Sequence, residues 1–457
     1  MTAEIISNIH TGDNPGQASL SVFLSGDALI TRPFRHSQDP AMQALLALLQ
    51  SADVRFSNFE MLINEFVGTP MVEAGGLHLS ASPQVAEDML WAGFNLFATA
   101  NNHSLDSGVD GLQAHIDAMR RLGMTYAGVG DTLEEAANPA YLQTSRGRVA
   151  LISCASSFAK GQRAGEARTD FRGRPGLNSQ RFDTRYVVDD AQFEQLRAIT
   201  DALHFTATQQ HSIDSHMLPA LDDPDNTLVF SPDLRGGMKI VRGEAAGETT
   251  APHERDLQRN LASIRHARRQ TDLVIVSIHA HEMLHEKEIP AAFIETFARA
   301  CIDAGADIVT TSGPHLMRGI ELHHGKPIFY SLGNLWFEFE TVDRLPADSY
   351  EMWNLDPLTG TPADLYDTSL LGFHYDRRFW ECALPICTFT DGALSSITLH
   401  PVTLGWGQPR QRRGTPGLAG PDDAARILGY VADLSEAYGT RISVRDGVGH
   451  VEIADAS

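Results

Sequence analysis

Apolar residues along this chain fall into short blocks, and the period inside each block separates strands from helices. Blocks at 19–25, 54–59, 94–98, 148–154 and 273–278 are continuous or alternating and read as strands. Helical spacing marks 40–50 (Met42, Leu45, Leu46, Leu49) and 108–122 (Val109, Leu112, Ile116, Met119), with further helices expected at 83–91, 254–269 and 290–304. More strands are expected at 307–310, 320–323 and 328–332, the last two joined through His324-Gly325. A hairpin of 379–389 and 393–399 turns at Asp391-Gly392. A helix over 422–438 and short strands around Ile442 and Val451 close the chain. Strands alternating with helices predict an α/β fold.

Two stretches break the pattern. Residues 1–18 are polar and punctuated by Gly and Pro, as expected of a loose tail. From 156 the chain becomes rich in Gly and Arg, with one helix expected around 191–203, so 156–250 reads as an insertion or lid. Its arginines either face solvent or, as Arg163, Arg172 and Arg174, offer guanidinium groups to a substrate carboxylate or phosphate. The main domain then spans 19–405, and 406–457 forms a small C-terminal α/β extension packing on it. After 334 the sequence reads as a loop of acidic and aromatic residues.

With 42% hydrophobic and 21% charged residues the chain is that of an ordinary globular protein. A net charge of −22 repels nucleic acid and anionic membrane surfaces, so neither is expected as a partner. Four cysteines without a CxxC pair indicate neither a disulfide framework nor a thiolate metal site, and they are expected to be reduced and packed. The N-terminus lacks signal-peptide features and no apolar run reaches the length of a membrane span, so a cytoplasmic location is expected.

Chemistry gathers where the strand blocks end. Asp27 follows the first, Asn58 and Glu60 the second, and Asn101, Asn102, His103 and Asp106 the third. His279 and His281 follow the strand at 273–278, and His315 and Asn334 follow the later ones, with Asn334 expected to bind substrate. Open α/β sheets keep ligands at such strand ends. Asp106 and Ser107 are each explained by ordinary capping of the helix at 108–122, whereas a turn needs one Asn, not two followed by His. Histidines at i and i+2 of an extended segment point to one side, so His279 and His281 can serve one site. Oxygen and nitrogen donors without cysteine suit a divalent Mn, Zn or Fe ion, singly or as a pair. Most of the 19 histidines must do something else, and His266, His285, His323 and His324 read as surface residues.

The segments GDALITR, SNFE, ANNHSLDSGVDGL, the strand ending at His279 and PHLMRGIELHHGKPIFYSLGN come in an order and spacing that resemble the CapA family, over roughly residues 20–405. That family is named for poly-γ-glutamate capsule synthesis and has a calcineurin-like metallophosphoesterase fold. The resemblance implies a four-layer αββα sandwich and a metal centre drawn from Asp27, Glu60, Asn102, His103, His279 and His315. Where the family usually has GHHPH, this chain has Thr311, Ser312, Gly313, Pro314 and His315, which removes up to two imidazoles. Where it usually has HWG, the chain has His279-Ala280-His281, and His281 is expected to compensate as a ligand. Capsule members commonly carry a membrane anchor, so a direct role in polymer export is not expected here.

Three activities fit such a centre. The first is hydrolysis of a peptide, amide or phosphoester bond by a metal-activated water, with His103, His315 and Asp27 as the catalytic groups. The second is epimerisation by removal and return of a Cα proton, as in the lasso-peptide epimerases that resemble this family. The third is non-catalytic binding of a polymer. The acidic balance favours a peptide or small amide over a polyanion as substrate.

Overall fold

Two sheets carry every strand end singled out above. The structure is a computed structural model and describes residues 19–74, 76–232, 237–369 and 371–453; the tail expected over 1–18 lies outside the described residues. The first sheet centres on three parallel strands, β1 (Ser19–Leu29), β2 (Val54–Phe59) and β3 (Leu96–Ala98). Beyond β3 lies Tyr126–Ala127. On the other side of β1 the hairpin Glu381–Thr390 and Ala393–Thr403 runs antiparallel, and Val448–Val451 and Ile442–Arg445 complete that edge. The second sheet is parallel through Lys326–Phe329, Ile308–Ser312, Leu273–His279 and Arg148–Ala155, with antiparallel Ile320–His323 and Ala140–Gln143 at its edges.

The inner faces of both sheets share one apolar cluster. Val22, Leu24, Val54, Phe56 and Leu96 from the first sheet meet Leu151, Ile275, Ile308 and Phe329 from the second. These central strands are near-continuous apolar runs because both of their faces are covered. A second cluster packs Phe23, Phe59 and Phe97 against the helices Pro40–Gln50, Gln84–Ala92 and Gly108–Leu122. Asp39 caps the first of these by accepting the Ala41 N–H, and Gly123 ends the third in the left-handed region. All four cysteines are buried and unpaired. Among the described residues no helix is long and apolar enough to cross a membrane.

The chain divides into two compact units. Residues 182–253 and 291–296 form the smaller one, and the remainder forms the larger. The smaller unit holds a four-stranded sheet of Thr227–Phe230, Met238–Arg242, Phe182–Val188 and Gly247–Pro252, with helices Asp190–Ala202 and Phe205–Asp214. Within it Phe182 and Phe293 stack at 4.3 Å.

Several elements differ from the sequence expectation. β1 does not stop at Ser25 but runs on to Leu29 through a register shift between Leu24 and Asp27, so Asp27 sits inside a bulged strand. A further strand, Asn334–Phe337, pairs parallel to β1. The supposed loop after 334 holds the short helices Ala347–Met352, Pro362–Ser369 and Leu371–Tyr375. Beyond the one helix expected within 156–250, the region contains a second helix and its own sheet.

Candidate metal centre

Asp27 is held at the crossing of three strands. In the register it lies beside Asn58 of β2 and Asn334 of the following strand. Gly26 makes this approach possible: a Cβ there would lie 1.8 Å from the Gly333 carbonyl oxygen, the same oxygen that accepts the Asp27 N–H at 3.0 Å. Asn58 donates to Asp27 Oδ1 at 2.7 Å, and the Gly313 N–H donates to Oδ2 at 2.9 Å. Gly313 has φ +113°, and a Cβ there would press on Ala280 and the His279 ring.

Around Asp27 the other donors close in. His279 Nδ1 is 3.8 Å from Asp27 Oδ1, and its Nε2 is 3.6 Å from Glu60 Oε1. His315 Nδ1 is 3.4 Å from Asp27 Oδ2, and its Nε2 is 3.9 Å from Glu60 Oε1. His103 Nε2 comes within 3.8 Å of the same Glu60 oxygen. The ring of His281 lies 4.9 Å from that of His279 and 5.6 Å from that of His315. One atom from each of Glu60, His279 and His281 lies within 4.8 Å of the others, and so does one from each of Asp27, Glu60 and His315. Residues spread from 27 to 315 therefore meet in one hollow.

The donor atoms fit a divalent cation. Both Glu60 carboxylate oxygens and His279 Nε2 are buried without a hydrogen-bond partner, a costly state unless a ligand completes them. Burial, and then the neighbouring Asp27 charge, raise the Glu60 pKa well above its ordinary value. Burial opposes ionisation of Asp27 too, yet the His315 hydrogen bond and the His279 and His315 rings bring its pKa below the usual carboxylate range. Burial pushes His279 down to about 3 and lowers His281 as well, which keeps both rings neutral and able to donate lone pairs. A cation among these groups would let both carboxylates ionise together.

A ring of orienting groups surrounds the donors. Asp106 Oδ2 lies 2.7 Å from His103 Nδ1 and accepts the Leu79 N–H. This corrects the capping expectation: Ser107 is the N-cap of the helix Gly108–Leu122, with no side-chain capping bond, and Asp106 holds the histidine instead. Asn334 Oδ1 lies 2.9 Å from His315 Nδ1, while Nδ2 donates to the carbonyls of His315 and Phe379. His315 has φ 62°, unusual for a residue with a Cβ. Ser312 Oγ and Asn58 Nδ2 lie 3.1 and 3.2 Å from His279 Nδ1.

The two asparagines after β3 divide the work. Asn101 Oδ1 accepts the His103 N–H and Nδ2 donates to the Phe59 carbonyl, which fixes the turn. Asn102 is buried beside the hollow, and its carbonyl accepts from Gln162. Ser156 and Ser157 donate to the carboxylate of Glu282, next to His281. The orienting roles of Asp106 and Asn58 were missed in sequence, although Asn58 shares strand parity with Glu60 and so shows the same side.

The arginines lie elsewhere. Arg163 donates to Ser179 and sits 3.9 Å from Asp256, Arg174 donates to the Arg163 carbonyl, and Arg172 is exposed. None of the three lines the cavity that opens on the histidines. That cavity, of about 610 Å³, is walled by Asn102, His103, His281, Glu282 and His315 and, further out, by apolar side chains. His323 and His324 pair with Asp303 on an exposed hairpin.

Comparison with known proteins places this geometry in context. The profile of the bacterial capsule synthesis protein PGA_cap matches residues 21–338. The chain is 34% identical over 441 residues to the uncharacterized proteins y4sH and y4uA of Sinorhizobium fredii (strain NBRC 101917 / NGR234), covering 94% of this chain and 92% of each relative. It is 24% identical over 326 residues to the capsule biosynthesis protein CapA of Bacillus anthracis, covering 70% of this chain and 60% of that protein.

Proposed function

The chain belongs to the bacterial capsule synthesis protein family PGA_cap, and on that premise we propose that it is a metal-dependent hydrolase of a peptide, amide or phosphoester bond. The family is metallophosphoesterase-like, which supports an enzyme with a four-layer αββα core. The observation that carries the reading is the pair of buried, unpartnered Glu60 oxygens facing three imidazoles and Asp27.

Asp27, Glu60, Asn102, His279, His281 and His315 would hold one or two divalent ions, with Mn, Zn or Fe fitting the oxygen and nitrogen donors. When bound, such an ion supplies Lewis-acid polarisation of the scissile group and a water of lowered pKa. The protein's own contribution is positional. Asp106 fixes the tautomer of His103, whose Nε2 faces the hollow and protonates the leaving group. Asn334 and the Gly313 N–H hold His315 and Asp27 at fixed angles, which limits reorganisation during the reaction. The four unpaired cysteines support a reducing, cytoplasmic setting.

One observation favours a second reaction. His103 and His315 reach the same Glu60 oxygen, and each has its own orienting partner, so two bases converge on one point. That arrangement would also serve removal and return of a Cα proton, the epimerase reading.

Metal analysis of protein purified without chelator, followed by incubation with peptides in deuterated water, separates the possibilities. The expected result is bound divalent metal and cleavage products that a chelator abolishes. Deuterium at Cα of intact peptide would replace hydrolysis by epimerisation, and binding without either product would leave a non-catalytic polymer-binding protein.

A further inference from the structure

The aromatic stretch after Asn334 gains a role once its place is seen. Phe337 and Phe373 pack 5.3 Å apart and lie 5.5 and 6.1 Å from the His315 ring, forming the wall of the cavity next to the metal donors. At the mouth stand Met283, Met352 and Trp353, which are 44%, 62% and 37% exposed. Apolar side chains left in water at the rim of an apolar cavity mark a binding region, and methionine adapts to varied ligand shapes. Among the described residues that line the cavity, Lys287 supplies the one lysine or arginine. Lys287 Nζ lies 4.7 Å from the Phe379 ring centroid and 5.8 Å from that of Phe373, and among the described residues no carboxylate lies within ion-pair distance of it.

We propose that this cavity is the substrate pocket and selects a ligand with an apolar or aromatic body and a single carboxylate, the body against Phe337 and Phe373 and the carboxylate on Lys287. The assignment rests on the reading of the adjoining cluster as the reaction centre, but binding of the body needs no metal. Water in a cavity walled by rings makes few hydrogen bonds and is readily displaced by apolar surface. A carboxylate meeting an amine already placed over aromatic faces gains a charge-assisted bond in a partly dry setting. The same wall disfavours a polyanion. A second carboxylate would find no further lysine or arginine among the described residues that line it, and the chain's net charge of −22 repels it from afar. The acyl or peptidyl form of an aromatic amino acid, with its carboxylate free, has the required chemistry.

The test uses the full chain stripped of metal by chelation. Calorimetry would follow three probes: N-acetyl-phenylalanyl-phenylalanine, its C-terminal amide, and N-acetyl-γ-glutamyl-glutamate. The expected result is that the aromatic acid binds at least about tenfold more tightly than the glutamyl probe. K287Q should weaken the acid roughly tenfold and leave the amide unchanged, whereas M352E, on the exposed rim, should weaken both. Equal binding of the glutamyl probe, or equal effects of K287Q on acid and amide, would overturn the proposal. Mn²⁺ titration of the same protein reports on the centre alone. Metal binding without peptide binding sinks the pocket, and peptide binding without metal binding sinks the hydrolase.

Discussion

Asp106 shows how much one side chain decides. Its carboxylate accepts from His103 Nδ1 on one side and from the Leu79 N–H on the other, so it sets both the tautomer and the tilt of the ring. D106N keeps the shape but replaces the carboxylate that accepts from Nδ1–H by a neutral amide, so the ring loses the anion that supports protons on both nitrogens, the form in which Nε2 can act as an acid. Turnover should fall on the order of 10²-fold or more while bound metal is unchanged; equal loss of metal would make Asp106 a ligand support instead. His115 gives a prediction about stability. Burial pushes it down to about 3, its Nδ1 accepts the Ile63 N–H, and its ring stacks on Phe59. Because the unfolded chain protonates this group near pH 6.5 and the folded chain does not, stability is full above that pH and is lost as pH falls toward 3. The slope is about 1.4 kcal/mol per pH unit. H115N, which can still accept from Ile63, should unfold more easily at pH 7 yet show a shallower loss between pH 6.5 and 4 in denaturant titrations.

At the level of elements, the bulged strand β1 is the decisive part. Its close approach to Gly333 leaves no room for a methyl group, since a Cβ on Gly26 would lie 1.8 Å from a backbone oxygen. G26A should cost about 3 kcal/mol or more and should separate Asp27 from Asn334, so the loss of metal affinity exceeds that of a comparable core substitution. Circular dichroism melting and metal titration together check this. The same element shows where the sequence is legible. The helix Gly108–Leu122 matches its expected span because its apolar spacing is clean and a glycine closes it. β1 looks shorter in sequence than it is because Gly26-Asp27 has the residue types of a turn, and the strand that extends it arrives from far along the chain. The strand Asn334–Phe337 is hidden for the same reason: Gly333 and Asn334 are turn residues by type, and only pairing with β1 makes Asn334 the start of a strand. The helices after 346 are short and carry little periodicity of their own.

For the molecule as a whole, the candidate site was legible through position more than through motif. Asp27, Glu60, Asn102, His103, His279 and His315 each follow a strand block, and parallel strands deliver such positions to one end of a sheet. The orienting groups were less visible, because Asn58, Asp106 and Ser312 look like ordinary strand and cap residues until their partners arrive from elsewhere. Stability should reflect the same convergence. An ion held at a hundred times its dissociation constant adds about 2.7 kcal/mol, so chelation should lower the melting temperature by several degrees. E60Q, which removes a buried carboxylate, should abolish that dependence and leave the chelated variant more stable than chelated wild type. A chelator shift that survives in E60Q would place the ion elsewhere.

The parallel pairing of Asn334–Phe337 with β1 carries a temporal consequence. A chain growing from its N-terminus completes β1 early, yet Asp27 has no finished surroundings until Gly313, His315 and Asn334 have left the ribosome. Capture of an ion by this cluster would be deferred to the last third of synthesis, and nascent fragments ending before residue 313 should hold no metal at it.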